Sequence, residues 1–270
     1  MNPEEPVVLT SADGVTTITL NRPERKNAID ESMWRTLTAM LQQVRNDPDT
    51  RVVVLQGAGG DFCSGADVGK SAHEEHPVPR LRRIGDVALA LFELPMPVIA
   101  KVSGVAAGAG CNLALACDLV VASDKARFTE IFTRRGLSID FGGSWLLPRI
   151  VGLQQAKRLA LLAEVIDAAE AYRLGMVTWI RPGDQLDDFV ADVAQKLAAL
   201  PPIALVQTKA LLNDGVGVDL PAAIRNEAAA QAVNFATEDA PAAFRAFLDK
   251  TDPPRYSGRW AVRSQGATRS

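Results

Sequence analysis

Histidine and cysteine are scarce in this sequence, and its net charge is small. The 270 residues include two histidines and three cysteines, and 29 basic residues against 32 acidic ones leave a formal net charge of −3. An odd number of cysteines without zinc-like spacing excludes a disulfide scaffold and predicts reduced thiols, as in a cytoplasmic protein. A broad nucleic-acid-binding surface requires an excess of basic residues, which this sequence lacks.

Long uninterrupted apolar runs are missing as well. The longest, Val98–Ala116, is interrupted by Lys101, Asn112 and several glycines, so it falls short of a membrane span. The first residues are acidic and polar and lack the basic-then-apolar pattern of a signal peptide. The sequence therefore predicts neither a membrane-spanning segment nor an export signal.

The two histidines, His73 and His76, lie together in a polar stretch. A triad hydrolase needs a histidine base for its nucleophile, and no Gly-x-Ser-x-Gly elbow is present to support one. Zinc motifs on helices place their histidines four residues apart, whereas these are three apart. We interpret the stretch as a solvated loop and predict no metal.

Alternating β-rich runs and amphipathic stretches predict a layered α/β core whose strand and helix units coil with a right hand. The predicted strands are Val7–Thr10, Val15–Leu20, Val52–Leu55, Val98–Val102, Leu119–Ala122 and Met176–Ile180. Asp13-Gly14 suits a hairpin turn between the first two. The predicted helices are Glu31–Asn46, Leu81–Phe92 and Cys111–Cys117.

The composition changes after Pro201-Pro202. The pattern then predicts three helices and no later strand; they are Ile203–Asn213, Leu220–Asn234 and Ala240–Lys250. We therefore predict a core over residues 1–200 and a helical region over 201–270, which is a natural place for subunit contacts. From Ser257 onward the chain is rich in Arg, Ser and Gly, and we expect it to be poorly ordered.

Two glycine clusters, at Gly57–Gly60 and Gly104–Gly110, each follow a buried strand, and neither has the spacing of a nucleotide-binding loop. The second opens a helix, whose free N–H groups suit an oxyanion, although glycines that merely permit close packing fit the spacing equally well. Asp140 is the one carboxylate in an apolar, glycine-rich stretch. It is either a helix cap or, if buried, a base with a raised pKa.

Several motifs, in order along most of the chain, resemble the crotonase superfamily of enoyl-CoA hydratases and isomerases. They are Asn21-Arg22-Pro23, Asn27-Ala28-Ile29, Phe62–Asp67, Ser103–Cys111, Leu113–Asp118 and Phe247–Arg259. The resemblance implies an α/β, ClpP/crotonase-like spiral of ββα units with a C-terminal helical trimerisation region. It also implies an acyl-CoA substrate, no cofactor apart from the coenzyme A of that thioester, and a homotrimer or a dimer of trimers.

The resemblance also assigns site residues. It places the oxyanion hole at the backbone N–H groups of Ala66 and Ala109. The positions that match coenzyme A contacts are Lys26, Ala28, Asp67 and Val68, together with Lys250 of a neighbouring subunit. Phe132 and Trp145 are predicted to line the acyl pocket, although an aromatic residue at either place is also typical of a core.

Both glutamates of the family's hydratases are replaced here, by Asn112 and Phe132. Hydration needs a base for water and an acid for the α-carbon, so these replacements argue against it. Asp140 resembles the catalytic base of isomerase branches that include the ring-1,2-epoxyphenylacetyl-CoA and dienoyl-CoA isomerases. We predict an acyl-CoA isomerase of fatty acid metabolism, which shifts a double bond of its substrate, or opens a related ring, through an enolate.

Two alternatives stay open at this point. One is an enoyl-CoA hydratase in which Asp140 or Glu130 activates water, although taking Glu130 as a hydratase glutamate requires shifting the match by two residues. The other is a non-catalytic acyl-CoA binder that has lost its carboxylates.

Overall fold

The structure, a computed structural model, describes residues 5–67, 69 and 76–261. The chain divides into two compact units, Met1–Gln195 and Lys196–Ser270. The division falls five residues before the boundary predicted at residue 200. Val68 and His73, which carried predictions, lie outside the described residues.

Strands and helices alternate through the first unit. Its strands are β1 (Val7–Ala12), β2 (Val15–Leu20), β3 (Val52–Gly57), β4 (Val98–Val102), β5 (Val105–Ala107), β6 (Leu119–Ser123), β7 (Arg127–Thr129), β8 (Ile166–Asp167) and β9 (Trp179–Arg181). Its helices are α1 (Glu31–Asn46), α2 (Pro77–Phe92), α3 (Ala109–Leu115), α4 (Gly143–Val151), α5 (Leu153–Leu162), α6 (Ala168–Arg173) and α7 (Leu186–Ala198), the last of which ends just past the division.

The described strands form two sheets. The larger has the order β1-β2-β3-β4-β6-β9. Strand β1 pairs with β2 in antiparallel fashion, and every other neighbouring pair in this sheet is parallel. The smaller has the order β5-β7-β8. Since β4 leads directly to β5 and β6 to β7, successive turns of chain contribute parallel strands to both sheets. This arrangement confirms the predicted spiral of ββα units.

Local sequence explains the first elements. The hairpin turns at Asp13 (φ 50°) and Gly14 (φ 78°), the two positive φ angles that a two-residue turn between twisted strands requires. Helix α1 begins where Asp30 Oδ1 accepts hydrogen bonds from the backbone N–H groups of Ser32 and Met33, each at 3.0 Å. Its apolar face is buried as predicted; the buried residues are Met33, Trp34, Leu37, Leu41 and Val44.

One predicted strand begins too early. The prediction started at Met176, whereas β9 begins at Trp179. The Met176 N–H donates to the carbonyl of Ala171, so this residue closes the turn after α6 instead of extending a strand. Its side chain is buried all the same, which is why the apolar pattern suggested a strand.

The second unit is helical, as predicted. Its helices are α8 (Pro202–Gly215), α9 (Leu220–Phe235) and α10 (Asp239–Asp249). Within 257–261, where poor order is expected from the sequence, the buried Asp239 carboxylate accepts the backbone N–H groups of Ser257 and Gly258, both at 2.8 Å. Ala261 N–H donates to the carbonyl of Ala236. Residues 262–270 lie outside the described part.

Candidate active site

Two backbone turns of the first unit pack against each other, one after β3 and one between β5 and α3. Cys63 N–H donates to Val105 O at 2.9 Å, and Ala107 N–H donates to Cys63 O at 3.0 Å. Gly65 has φ 96°, and a Cβ on it would lie 2.7 Å from Ala107 O and 3.6 Å from Ala109 N. A side chain is therefore excluded at Gly65, and its absence lets the two turns meet.

The meeting of the turns places Ala109 N beside Gly65, the residue that precedes Ala66. Ile29 uses its own N–H and C=O to bond Gly65 O and Asp67 N, both at 2.9 Å, so the intervening Ala66 N–H points away from it. Ala109 is the first residue of α3, where an N–H has no partner within the helix. The two N–H groups thus have the freedom that their predicted oxyanion role requires, and that role stays a prediction.

Asp140 lies just before α4, on a backbone that is fixed from two sides. Its carbonyl accepts the Gly143 N–H at 2.9 Å and the Asn112 side-chain Nδ2 at 3.0 Å. Phe141 follows with φ 51°, a left-handed conformation that a bulky residue rarely adopts and that concentrates at functional sites. Burial raises the pKa of the Asp140 carboxyl group to about 6, which suits a general base near neutral pH.

A second carboxyl group, that of Glu130, contacts the same Asn112 side chain that bonds the Asp140 carbonyl. It follows β7, is 1% exposed, and accepts a hydrogen bond from Asn112 Nδ2 at 3.3 Å. Burial raises the pKa of Glu130 to about 7; hydrogen bonds from Cys111 and Asn112 oppose the rise, and the charge of Asp140 adds to it. The sequence match had weighed against Glu130 because it falls two residues before Phe132.

Three oxygen atoms in this cluster are buried without a hydrogen-bond partner among the described residues. They are Asn112 Oδ1, Glu130 Oε1 and Asp140 Oδ1. Buried polar atoms are nearly always hydrogen-bonded, and exceptions call for an explanation such as a catalytic role or a bound water. The cluster of Asn112, Glu130 and Asp140 is therefore the candidate site for proton transfer.

Gly143 is the position where α4 approaches this cluster most closely. A Cβ there would overlap the side-chain amide of Asn112. We expect Gly143→Ala to displace Asn112, lower the free energy of unfolding by about 1–3 kcal/mol, as overpacking does, and reduce turnover. Denaturant unfolding and kinetics measure both effects. Gly183→Ala is the matched control, since its Cβ would meet no atom within 4 Å; equal behaviour of the two variants would contradict the expectation.

The segments predicted to bind coenzyme A converge around Arg22. Its guanidinium donates to Ala28 O at 2.8 Å and to Asp67 Oδ2 at 3.1 Å. The pKa of Asp67 is lowered, by the Gly69 N–H first and by Arg22 next. Lys26 is exposed beside them, and its carbonyl accepts the Ser64 N–H at 2.9 Å. Lys250 ends α10 in the other unit, with a left-handed backbone (φ 53°).

The two aromatic residues predicted for the acyl pocket differ in environment. Phe132 is buried, and its ring lies beside Gly108, where a Cβ would be 3.5 Å away from it. Trp145 is 40% exposed, with the Arg149 guanidinium 4.0 Å from its ring centroid and the Phe92 ring edge-on at 5.5 Å. Only Phe132 therefore lies next to the second glycine turn in the contacts described.

The remaining polar candidates have structural explanations. None of the three cysteines forms a disulfide bond and all three are buried, and burial raises the pKa of the Cys63 thiol to about 12. His76 caps α2 by accepting the Val78 N–H at 3.3 Å. Over residues 5–67, 69 and 76–261, no group of three metal-binding side chains occurs. No single described helix has the length and apolarity to cross a membrane, and one bent helix pair, 183–198 with 202–215, passes that test jointly by length and composition.

The sequence and the fold both match one class of known proteins. The profile of the enoyl-CoA hydratase/isomerase family covers residues 10–258, so the chain belongs to this family of crotonase-superfamily enzymes. It is 40% identical, over 92% of its length and 96% of the relative's, to a Rhodobacter capsulatus protein named probable enoyl-CoA hydratase. It is 36% identical, over 91% of its length and 96% of the relative's, to the 1,2-epoxyphenylacetyl-CoA isomerase of Escherichia coli. The crystal structure of an enoyl-CoA hydratase from Bacillus anthracis superimposes with a TM-score of 0.89 at 32% identity, over 94% of this chain and 100% of that one.

Proposed function

We propose that this protein is an enoyl-CoA isomerase that moves a double bond along the acyl chain through an enolate. Asp140 removes a proton from one carbon of the thioester substrate and returns it to another. The N–H groups of Ala66 and Ala109 stabilise the negative charge that develops on the thioester oxygen in between. The reaction is a rearrangement within one molecule, so it needs no water and no redox cofactor.

The observation that carries this proposal is the placement of Asp140. Its carboxyl group is partly buried, its pKa is raised to about 6, and its backbone is fixed by Gly143 and Asn112. The hydratase positions hold Asn112 and Phe132, which cannot exchange protons. Glu130 is almost completely buried and bonded to Asn112, so Asp140 is the better placed of the two carboxyl groups to reach a substrate.

The proposal includes a path for coenzyme A. The exposed Lys26 and the neighbouring Ala28 and Asp67 lie on the segments that reach the Ala66 turn, which supports their predicted contact with the ligand. Val68 and the contact from Lys250 of a neighbouring subunit stay predictions, as do the cytoplasmic location and the absence of a separate cofactor.

The helical unit supports the predicted homotrimer or dimer of trimers. Helix α10 exposes Phe244, Phe247 and Leu248, at 56%, 80% and 74%. Residues three and four apart lie on one helix face, and an exposed apolar patch of this kind is typical of a protein–protein interface. Light scattering coupled to size exclusion measures the assembly, and a monomer at micromolar concentration would contradict it.

The test of function uses a 3-enoyl-CoA thioester of short chain and follows absorbance and mass together. Isomerisation produces a conjugated thioester, so we expect absorbance to rise while the mass is unchanged. In deuterated buffer, exchange at the α-carbon reports proton removal directly. Tight binding of the thioester without any exchange would support the non-catalytic binder and overturn the proposal.

A hydratase is the second candidate, because Glu130 brings another carboxyl group beside Asp140. Hydration predicts the opposite optical result: a conjugated 2-enoyl-CoA loses absorbance and gains the mass of one water. Supplying both thioesters in parallel separates the two activities, and hydration faster than migration would replace the isomerase proposal.

A further inference from the structure

The proposed isomerisation uses one carboxyl group, yet the site contains two. Glu130 is 1% exposed, and its Oε1 has no hydrogen-bond partner among the described residues. Burying a carboxyl group in this way is costly unless the group is protonated or paired. No role in the proposed reaction has yet been given to it, so its presence beside the base requires an explanation.

Asn112 connects the two carboxyl-bearing residues. Its single Nδ2 atom donates to Glu130 Oε2 at 3.3 Å and to the carbonyl oxygen of Asp140 at 3.0 Å. Both hydrogens of the amide are thereby used, and each holds one residue of the pair. Gly143 packs directly against the same amide, since a Cβ on it would overlap Asn112. The position of Asp140 thus depends on an amide that Glu130 also holds.

Asp140 contributes the only charge that acts on Glu130 among the described neighbours. The titratable groups that act on it in the described structure are the Cys111 thiol of α3 and the carboxyl group of Asp140 before α4; Asn112, also on α3, is neutral. No lysine or arginine is among these neighbours. Two carboxyl groups that share a buried place without a cation do not both ionise readily, so one of them keeps its proton.

We propose that Glu130 and Asp140 form a carboxyl pair coupled through Asn112, which holds one proton when the enzyme is active, and that Glu130 is the positioning residue that keeps it. Asp140 is then the ionised member and serves as base. This assignment rests on the proposed function for its catalytic part, whereas the pairing itself does not.

The less buried member of the pair loses its proton first. Asp140 is the more exposed of the two and has its pKa raised to about 6, whereas that of Glu130 is raised to about 7. Below about pH 6 the base is protonated and inactive. Above about pH 7 Glu130 ionises, and a second negative charge then opposes the enolate. The pair therefore predicts a bell-shaped dependence of kcat on pH, whose two limbs belong to the pair as a whole.

Glu130→Gln tests the pairing because glutamine keeps the shape and the contact with Asn112 but cannot ionise. We expect the variant to retain the acid limb and lose the alkaline limb, so that at pH 8 its kcat relative to its own optimum exceeds the wild-type ratio by about tenfold. Glu93→Gln is the matched control, because Glu93 is exposed and its Arg45 partner lies at 4.0 Å. A Glu130→Gln profile that superimposes on the wild-type profile would overturn the inference.

Infrared difference spectroscopy tests the same pair without substrate. We expect a band of a protonated, buried carboxyl group that disappears as the pH rises through about 7 and that is missing in Glu130→Gln. In Asp140→Asn the band should disappear at lower pH, because the neighbouring charge is gone. A titration that is unchanged in Asp140→Asn would overturn the coupling. If the band behaves as expected in a protein that fails to isomerise enoyl thioesters, the pairing stands and only the proposed function fails.

Discussion

Asp140→Asn is expected to lower kcat for double-bond migration by a factor of roughly 10²–10⁴, the usual contribution of a general base. Asparagine fills the same space and leaves the carbonyl of residue 140 free to accept from Gly143 and Asn112. The loss therefore falls on proton transfer and not on the fold. Substrate affinity should change little, and deuterium exchange at the α-carbon should fall in parallel with kcat.

The same substitution is expected to stabilise the protein. The folded-state pKa of Asp140 is raised from 3.8 to about 6, so its contribution to stability is present below about pH 4 and lost as the pH rises to about 6. Above that pH, Asp140→Asn should unfold with a free energy about 1–3 kcal/mol higher than wild type. Asp188→Asn, at an exposed position of α7, is the control. Full turnover in Asp140→Asn would show that another group is the base.

The elements of the larger sheet and of the helical unit follow from simple patterns. The hairpin, α1 and the buried strands β3 and β4 have clear periodicity or turn residues, and the prediction placed them within a few residues. The smaller sheet was not predicted, because β5, β7 and β8 are two or three residues long and no periodicity can be recognised over that length. Yet β5 and β7 are the strands that place α3 and Glu130 side by side.

Some residues of the candidate site were also recognisable from the sequence, and others were not. Asp140 was recognisable as a lone carboxylate among glycines, whereas Ala66 and Ala109 were assigned by the family resemblance, with which the two glycine turns agree. Glu130 received less weight because Phe132, two residues later, is the position that matches a hydratase glutamate. Phe128, Thr129 and Glu130 are all buried, so no alternation of buried and exposed side chains distinguished Glu130 in the sequence. Asn112, at a hydratase glutamate position, contacts both carboxyl-bearing residues.

Ala109→Pro is expected to lower kcat by roughly 10²–10³, the effect of removing one oxyanion donor. Proline removes the N–H that the proposal assigns to the enolate, and the first position of a helix is the one that proline tolerates best. Proline favours an extended conformation in the residue before it. Gly108, which precedes residue 109, has φ 54° and ψ −124°, close to the mirror image of that conformation, and glycine adopts either form because it has no Cβ. The helix α3 should therefore form unchanged. A binding assay with a saturated acyl-CoA should show weaker affinity as well, because the proline ring occupies the space into which the Ala109 N–H points.

The control for Ala109→Pro is Leu153→Pro, which makes the same kind of change at the first residue of α5. Leu153 is 58% exposed and follows Gly152, whose ψ of 155° is compatible with a following proline. We expect this variant to keep wild-type kcat, so that a loss in Ala109→Pro is attributable to the turn at Ala109 and not to proline at the start of a helix. If Ala109→Pro folds, as judged by circular dichroism, and isomerises at the wild-type rate, the thioester oxygen is not held at this turn. Combining it with Asp140→Asn should cost less than the product of the two single effects, because enolate stabilisation matters only when a proton is being removed.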